Sequence, residues 1–153
     1  MLKRTLISLF AIFCGIKSEV QAFSKENFLK AIRHVESGDN HSAVGSHGER
    51  GAYQFKRVVW KQHAKNSFSN AFEPESAHDV ASQHFDWIVN TLSKSGKQTN
   101  ARNIALAWNA GVGSAIRNKI SVYNKDYANR VENLLLEFER QEILAKIPQI
   151  SCL

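Results

Sequence analysis

Glu36 stands in the stretch HVESGDNHSAVGSHGERGAYQF, residues 34–55, where an apolar-periodic segment gives way to a run of small and polar residues. A glutamate at a helix end is most often a solvated surface charge. The company of Glu36 argues for more than that. Ser37 follows directly, the glycines Gly38, Gly45, Gly48 and Gly51 punctuate the run, and Tyr53 and Gln54 return just before Phe55. A carboxyl group walled by aromatic rings has its charged form disfavoured, so it holds a proton at neutral pH and can donate it. Acid cleavage of a glycosidic bond needs such a proton at the leaving oxygen.

Glu49 lies on the same stretch, in a Gly-Glu-Arg-Gly setting, and is a candidate second carboxylate. In an inverting hydrolase a second carboxylate about 6.5–9.5 Å from the acid activates water. The alternative is that Arg50 neutralises Glu49. Asp39, the other nearby acid, reads as a turn residue bonding its own backbone.

Helices must position these groups. Ser24 is placed to cap a helix whose apolar positions Phe28, Ala31, Ile32 and Val35 follow the i, i+3, i+4, i+7 pattern. Glu36 then falls on the last turn and Gly38 ends it. Residues 38–51 read as a long loop. A second helix is expected near 55–66, with Val58, Val59 and Trp60 facing inward. Pro74 suits a first helical turn, and Ala77, Ala81, Phe85, Ile88, Val89 and Leu92 form a buried stripe behind it. Asn100 caps a further helix through Ile104, Ala105 and Trp108, ended by NAGVG. Residues 123–140 carry Tyr127, Val131, Leu134, Leu135 and Phe138 at helical spacing. No repeat or strand-rich region interrupts this pattern, so the fold class is mainly α.

The 153 residues are one domain's worth of chain, with ordinary apolar and charged content. The net charge of +6 suits an anionic partner, but the basic residues are scattered and no block reads as a nucleic-acid arm. The amino terminus has the layout of an export signal: MLKR is cationic, TLISLFAIFCGI is a 12-residue apolar run, and Val20 and Ala22 are the small residues before a cut. That run is below the roughly 20 residues a membrane-spanning helix needs, so stable insertion is not expected once it is removed. Cleavage after Ala22 removes Cys14 and leaves Cys152 without an internal partner. The six histidines include no H-x-x-x-H pair and have no cysteine partner there, so no metal site is expected.

Three short motifs fall in one order along the chain: Glu36-Ser37 with Ala43-Val44 and Gly51-Ala52-Tyr53-Gln54, then AWNAG at Ala107 to Gly111, then YANRV at Tyr127 to Val131. The set resembles the soluble lytic transglycosylase family, which shares a lysozyme-like α-helical domain with goose-type lysozymes. There a Glu-Ser pair precedes an Ala-Val step and Gly-Leu-Met-Gln, followed by Ala-Tyr-Asn-Ala-Gly and a tyrosine before an Arg/Lys-Val pair. The resemblance implies a lysozyme-like single domain of several packed helices, with a long glycine-containing loop after the catalytic helix. It would occupy residues 23–142, between a signal peptide at 1–22 and a C-terminal tail at 143–153. Glu36 would be the catalytic acid and later the base. Ser37 would hold the glycan or the carboxyl, Gln54 would line the floor, Asn109 would bond a sugar or position Glu36, and Tyr127 would reach Glu36.

Two departures stand out. Tyr53 replaces the family's methionine in the groove wall, and Trp108 replaces its tyrosine, serving either as wall or as core. The implied substrate is peptidoglycan glycan strands, acted on by an exported monomer without a cofactor. The implied reaction breaks the bond between N-acetylmuramic acid and N-acetylglucosamine and leaves 1,6-anhydro ends. Rival readings are a hydrolytic muramidase on the same fold and a glycan-binding protein without turnover.

Overall fold

The structure, a computed structural model, describes residues 23–147. The apolar run at the amino terminus, the expected cut after Ala22 and residues 148–153 lie outside the described residues. Among the described residues six α-helices follow in order: α1 (Lys25–Ser37), α2 (Arg57–His63), α3 (Pro74–Lys94), α4 (Ala101–Ala110), α5 (Val112–Ile116) and α6 (Val122–Lys146), with a 3₁₀ turn at Phe68–Phe72 ahead of α3. This is the mainly helical domain that the periodicity anticipates.

Local signals set the helix ends. Ser24 Oγ accepts from the Asn27 amide, Asn100 from the Asn103 amide, and Ser121 from the Asn124 amide, each satisfying a donor that a helix start leaves free. Gly38 ends α1 at φ +64, the left-handed conformation in which a side chain is costly. Pro74 opens α3 where a missing N–H does no harm. The helix α6 starts one residue before the expected stretch and runs on to Lys146. The short α5 has no counterpart in the periodicity, because five residues are too few to display one.

The core forms where α1 and α4 pack on α6 and α3 closes over them. Phe28, Ile32, Trp60, Ile88, Ile104 and Val131 are fully buried there. Phe28 meets Phe85 edge to face at 5.3 Å, and Phe55 meets Trp60 the same way at 5.7 Å.

Around α2 the sequence reading needs correction. Val58, expected inward, is 73% exposed, whereas Trp60 is wholly buried and Val59 is half-buried. Each helical residue turns the chain by about 100°, so two positions apart face opposite sides and only one can enter the core. The large indole takes that place. The helix is also shorter than 55–66. Phe55 leaves it to exchange two backbone hydrogen bonds with Arg50, both 3.0 Å.

Those bonds belong to a compact knot between α1 and α2. The Gly45 amide donates to the Glu49 carbonyl and the Gly51 amide to the Ala43 carbonyl, both at 2.9 Å. Ser37 Oγ donates to the Ala52 carbonyl at 2.8 Å and accepts from the Asn40 amide at 3.1 Å, pinning the knot to the end of α1. Gly51, at φ +75, lies so close to the 3₁₀ turn that a Cβ would collide with the Ala71 carbonyl oxygen.

Gly51→Ala is therefore expected to cost about 3 kcal/mol or more, because backbone strain and a clash with main chain act together. Gly48→Ala, at φ +80 with open space around it, is expected to cost only about 1–2 kcal/mol. Urea midpoints of the two variants check the difference; equal losses would mean that the close approach carries no weight.

Candidate active site

The knot, α4 and the start of α6 enclose a cavity of about 740 Å³, with Glu36 on its wall. Glu36 comes from the last turn of α1, and Tyr127 from the second turn of α6. The Tyr127 hydroxyl donates to Glu36 Oε1 at 2.7 Å, across 91 positions of sequence. The phenol is 2% exposed. Burial lifts its pKa well above the ordinary value, with the neighbouring carboxylate adding to the rise, so the hydroxyl stays a donor.

Burial also pushes the Glu36 pKa up; the Tyr127 hydrogen bond and the Arg130 charge oppose it, while Glu49 adds to the rise. Burial is the largest of these influences, and the net direction is upward. The acid is thus biased toward its protonated form and held by one oxygen, as a proton donor requires.

Glu49 is tuned the opposite way. Its own backbone amide and that of His47 hold its carboxyl below the usual range, despite some burial. The His47 amide reaches Glu49 Oε2 at 2.9 Å, and Lys56 Nζ stands 3.9 Å from Oε1. The expectation that Arg50 neutralises Glu49 fails: the Arg50 guanidinium lies over the rings of Phe68 and Phe72 at 4.8 and 5.4 Å. Adjacent residues on an extended backbone point to opposite faces, so Glu49 turns to the cavity and Arg50 to the 3₁₀ turn. The side chain of Glu49 is only 14% exposed. Gly45 makes room for it, since a Cβ there would meet both Glu49 Oε2 and Gln54 Oε1.

The other expected residues divide into walls and struts. Tyr53, Gln54, Trp108 and Asn109 all line the cavity. Tyr53 is a buried wall whose hydroxyl meets His78 Nδ1 at 3.2 Å, and burial lifts its pKa to about 12. Gln54, at φ +47, donates to the Gly51 carbonyl at 2.9 Å. Asn109 accepts from Asn124 Nδ2 at 2.7 Å and makes no bond to Glu36. Trp108 is half-buried, its ring 6.4 Å from Tyr53 and 4.9 Å from His84, so it serves as both wall and core. The Ser37 hydroxyl is spent on the knot and is not part of the cavity wall. Asp39, read as a turn residue bonding its own backbone, has φ +66 but gives its carboxylate to Arg33 and His34.

Sequence reasoning missed Tyr123, Asn124 and His84, which also line the cavity. Tyr123 and Asn124 sit just ahead of the recognised Tyr127, and the Ser121 cap one turn earlier marks the helix start that brings them there. His84 falls on the buried stripe of α3, one position from Phe85, where a histidine interrupts apolar spacing. Among the described residues no group of three or more potential ligands is placed to hold a metal.

The raised pKa of Glu36 fixes the sign of a stability effect. Above the ordinary carboxyl value of 4.5 the unfolded chain releases this proton more readily than the folded one, so rising pH costs the folded state until the folded pKa is passed. Glu36→Gln removes that cost and keeps an acceptor for Tyr127. Its melting temperature is expected to exceed that of the unaltered chain at pH 7–8, with the gap closing toward pH 4.5. Melting curves across this range check it; a gap that grows on acidification would contradict the buried-acid account.

No curated protein matches the chain. The family model described as the Transglycosylase SLT domain matches residues 13–131, well over half of the sequence and all of the cavity-lining positions. The paired Glu36 and Tyr127, the aromatic cavity and this match agree: the chain belongs to the transglycosylase SLT domain family, whose domain acts on peptidoglycan.

Proposed function

We propose that this protein is a lytic transglycosylase that cleaves the bond between N-acetylmuramic acid and N-acetylglucosamine, forming 1,6-anhydro ends. The observation that carries the reading is Glu36, its pKa raised by burial, bonded by Tyr127 on the wall of a cavity of about 740 Å³. Glu36 protonates the glycosidic oxygen as the bond to the anomeric carbon breaks. The substrate's own acetamido group shields the developing cation. The carboxylate left behind takes the proton of the C6 hydroxyl, whose oxygen closes the anhydro ring. The N-acetylglucosamine side leaves with the donated proton as a free hydroxyl, and no water is consumed. The attacking hydroxyl is already held beside the reacting carbon, and such intramolecular attack has a high effective molarity. Tyr127 keeps Glu36 oriented through both proton transfers. Tyr53 and Trp108 form apolar walls, and Gln54 and Asn109 supply polar edges for sugar groups.

A second reading, hydrolysis, is favoured by one observation. Glu49 shares the cavity with Glu36, and its carboxyl is held ionised while that of Glu36 is pushed toward the neutral acid. Two carboxyls whose environments drive them apart are the pattern of an acid and a base. An ionised Glu49 facing a bound water would make a muramidase.

The protein is further proposed to work outside the cytoplasm, where its polymer lies. Residues 1–22 direct export and are then removed, leaving Phe23 as the first residue. Among the described residues no helix is long and apolar enough to cross a membrane. Intact-mass measurement on exported protein is expected to give a chain starting at Phe23; retention of Met1 on membrane-bound material would replace cleavage with anchoring.

Glu36→Gln is expected to lower turnover by about 10²–10⁴-fold while the fold persists, since the amide has no proton to give. Wild-type turnover by the folded variant would end the enzymatic reading. Mass spectrometry of digested muropeptides separates the two reactions, anhydro ends being lighter by one water than reducing ends. Under the transglycosylase reading Glu49→Gln stays within about a few-fold of wild type, because intramolecular attack needs no second base. Reducing-end products together with a loss of about 10²-fold or more in Glu49→Gln would establish the hydrolase.

A further inference from the structure

His63 and His84 lie 21 positions apart in sequence, yet His63 Nε2 stands 2.9 Å from His84 Nδ1. The proposed reaction uses neither. His84 is 7% exposed and lines the catalytic cavity. Its ring is clamped: Trp87 stacks on it with 13° between planes at 5.5 Å, and Trp108 meets it edge to face at 4.9 Å. Burial lowers the pKa of His84 to about 4, with His63 adding to the fall, and burial lowers His63 too, so the pair is neutral at neutral pH. One ring must donate and the other accept, so the tautomer of His84 is coupled to that of His63 and the orientation of its ring is held.

The second nitrogen, His84 Nε2, has no hydrogen-bond partner among the described residues. His84 lines the cavity, and a ligand there would meet its ring. Such a group, rigid, neutral and more than nine-tenths buried, offers one directed hydrogen bond amid aromatic surface. A ligand that matches it brings a polar atom and an apolar group side by side. An acetamido group does both: its N–H and C=O suit either tautomer, and its methyl suits the neighbouring indole of Trp108.

We propose that His84, oriented by His63 and clamped by Trp87 and Trp108, is a substrate-binding residue that recognises an acetamido group of the glycan. The inference rests on the glycan-cleaving reading of the same cavity. It assigns His84 a share in selecting N-acetylated over de-N-acetylated strands. His63 is a positioning residue, acting through His84.

The test measures binding and not turnover, because loss of the acetamido group would also disable the chemistry. The chain carrying Glu36→Gln is titrated with a tetrasaccharide of alternating N-acetylglucosamine and N-acetylmuramic acid, and with its de-N-acetylated form. The N-acetylated probe is expected to bind more tightly, and His84→Phe in that background is expected to shrink the affinity ratio by about 2- to 10-fold, the worth of one hydrogen bond. Taking the ratio cancels the ammonium charge that de-N-acetylation introduces, since both proteins meet it. An unchanged ratio in folded His84→Phe protein overturns the inference. Should that variant not fold, nitrogen-15 spectra of His84 in the Glu36→Gln chain decide: an Nε2 resonance that moves with the N-acetylated probe supports the role, and one that stays still overturns it. If neither saccharide binds the Glu36→Gln chain, the glycan reading itself falls; if both bind and only the His84 effect is missing, the reading stands without this residue.

Discussion

The hydrogen bond from Tyr127 to Glu36 ties the end of α1 to the start of α6, and the geometry of the candidate site hangs on it. A carboxyl group taken out of water must keep a polar partner or pay for its isolation. Tyr127 supplies that partner without supplying a charge, so the carboxyl stays oriented while burial still favours its protonated form. A cation in the same place would have ionised the acid and ended its use as a donor. Arg130, one turn further along α6, lies over the face of the Tyr127 ring, 5.9 Å from its centroid, and its effect on Glu36 is the smaller one.

Small residues let the loop serve the site. Gly51 brings the knot against the 3₁₀ turn where no side chain fits, and Gly45 leaves space that the ends of Glu49 and Gln54 occupy. Ser37 spends its hydroxyl on backbone of the same knot. A segment with little apolar content is thus fixed by backbone bonds and close approach instead of by its own core. Its order depends on the 3₁₀ turn behind it, whose carbonyl Gly51 faces and whose Phe68 and Phe72 carry the Arg50 guanidinium.

Burial acts on each titratable group of the cavity according to its charge. It biases Glu36 toward its protonated form, disfavours the charged forms of His63 and His84, and keeps the phenol of Tyr127 intact. Glu49 escapes because backbone amides solvate its charge directly. A cavity so arranged presents an acid biased toward its protonated form, neutral hydrogen-bonding groups and aromatic walls, together with the carboxylate of Glu49 beside Lys56. That combination suits the polar and apolar edges of a sugar chain.

The sequence by itself determined the helical class, most helix ends and the candidate acid. Ser24, Gly38, Pro74 and Asn100 act within a single turn of their own positions, so their effects are legible without knowledge of the fold. Glu36 and Tyr127 were legible through the order of short motifs, although nothing local requires them to meet. Tertiary structure alone decided that Trp60 and not Val58 enters the core, that Arg50 turns from Glu49 to aromatic rings, and that Ser37 braces a loop. It also decided the pairing of His63 with His84 and the presence of Tyr123 and Asn124 on the cavity wall. Caps and periodicity are satisfied by neighbours along the chain, whereas these contacts depend on how helices cross, and the crossing is fixed only when all the buried faces are packed together.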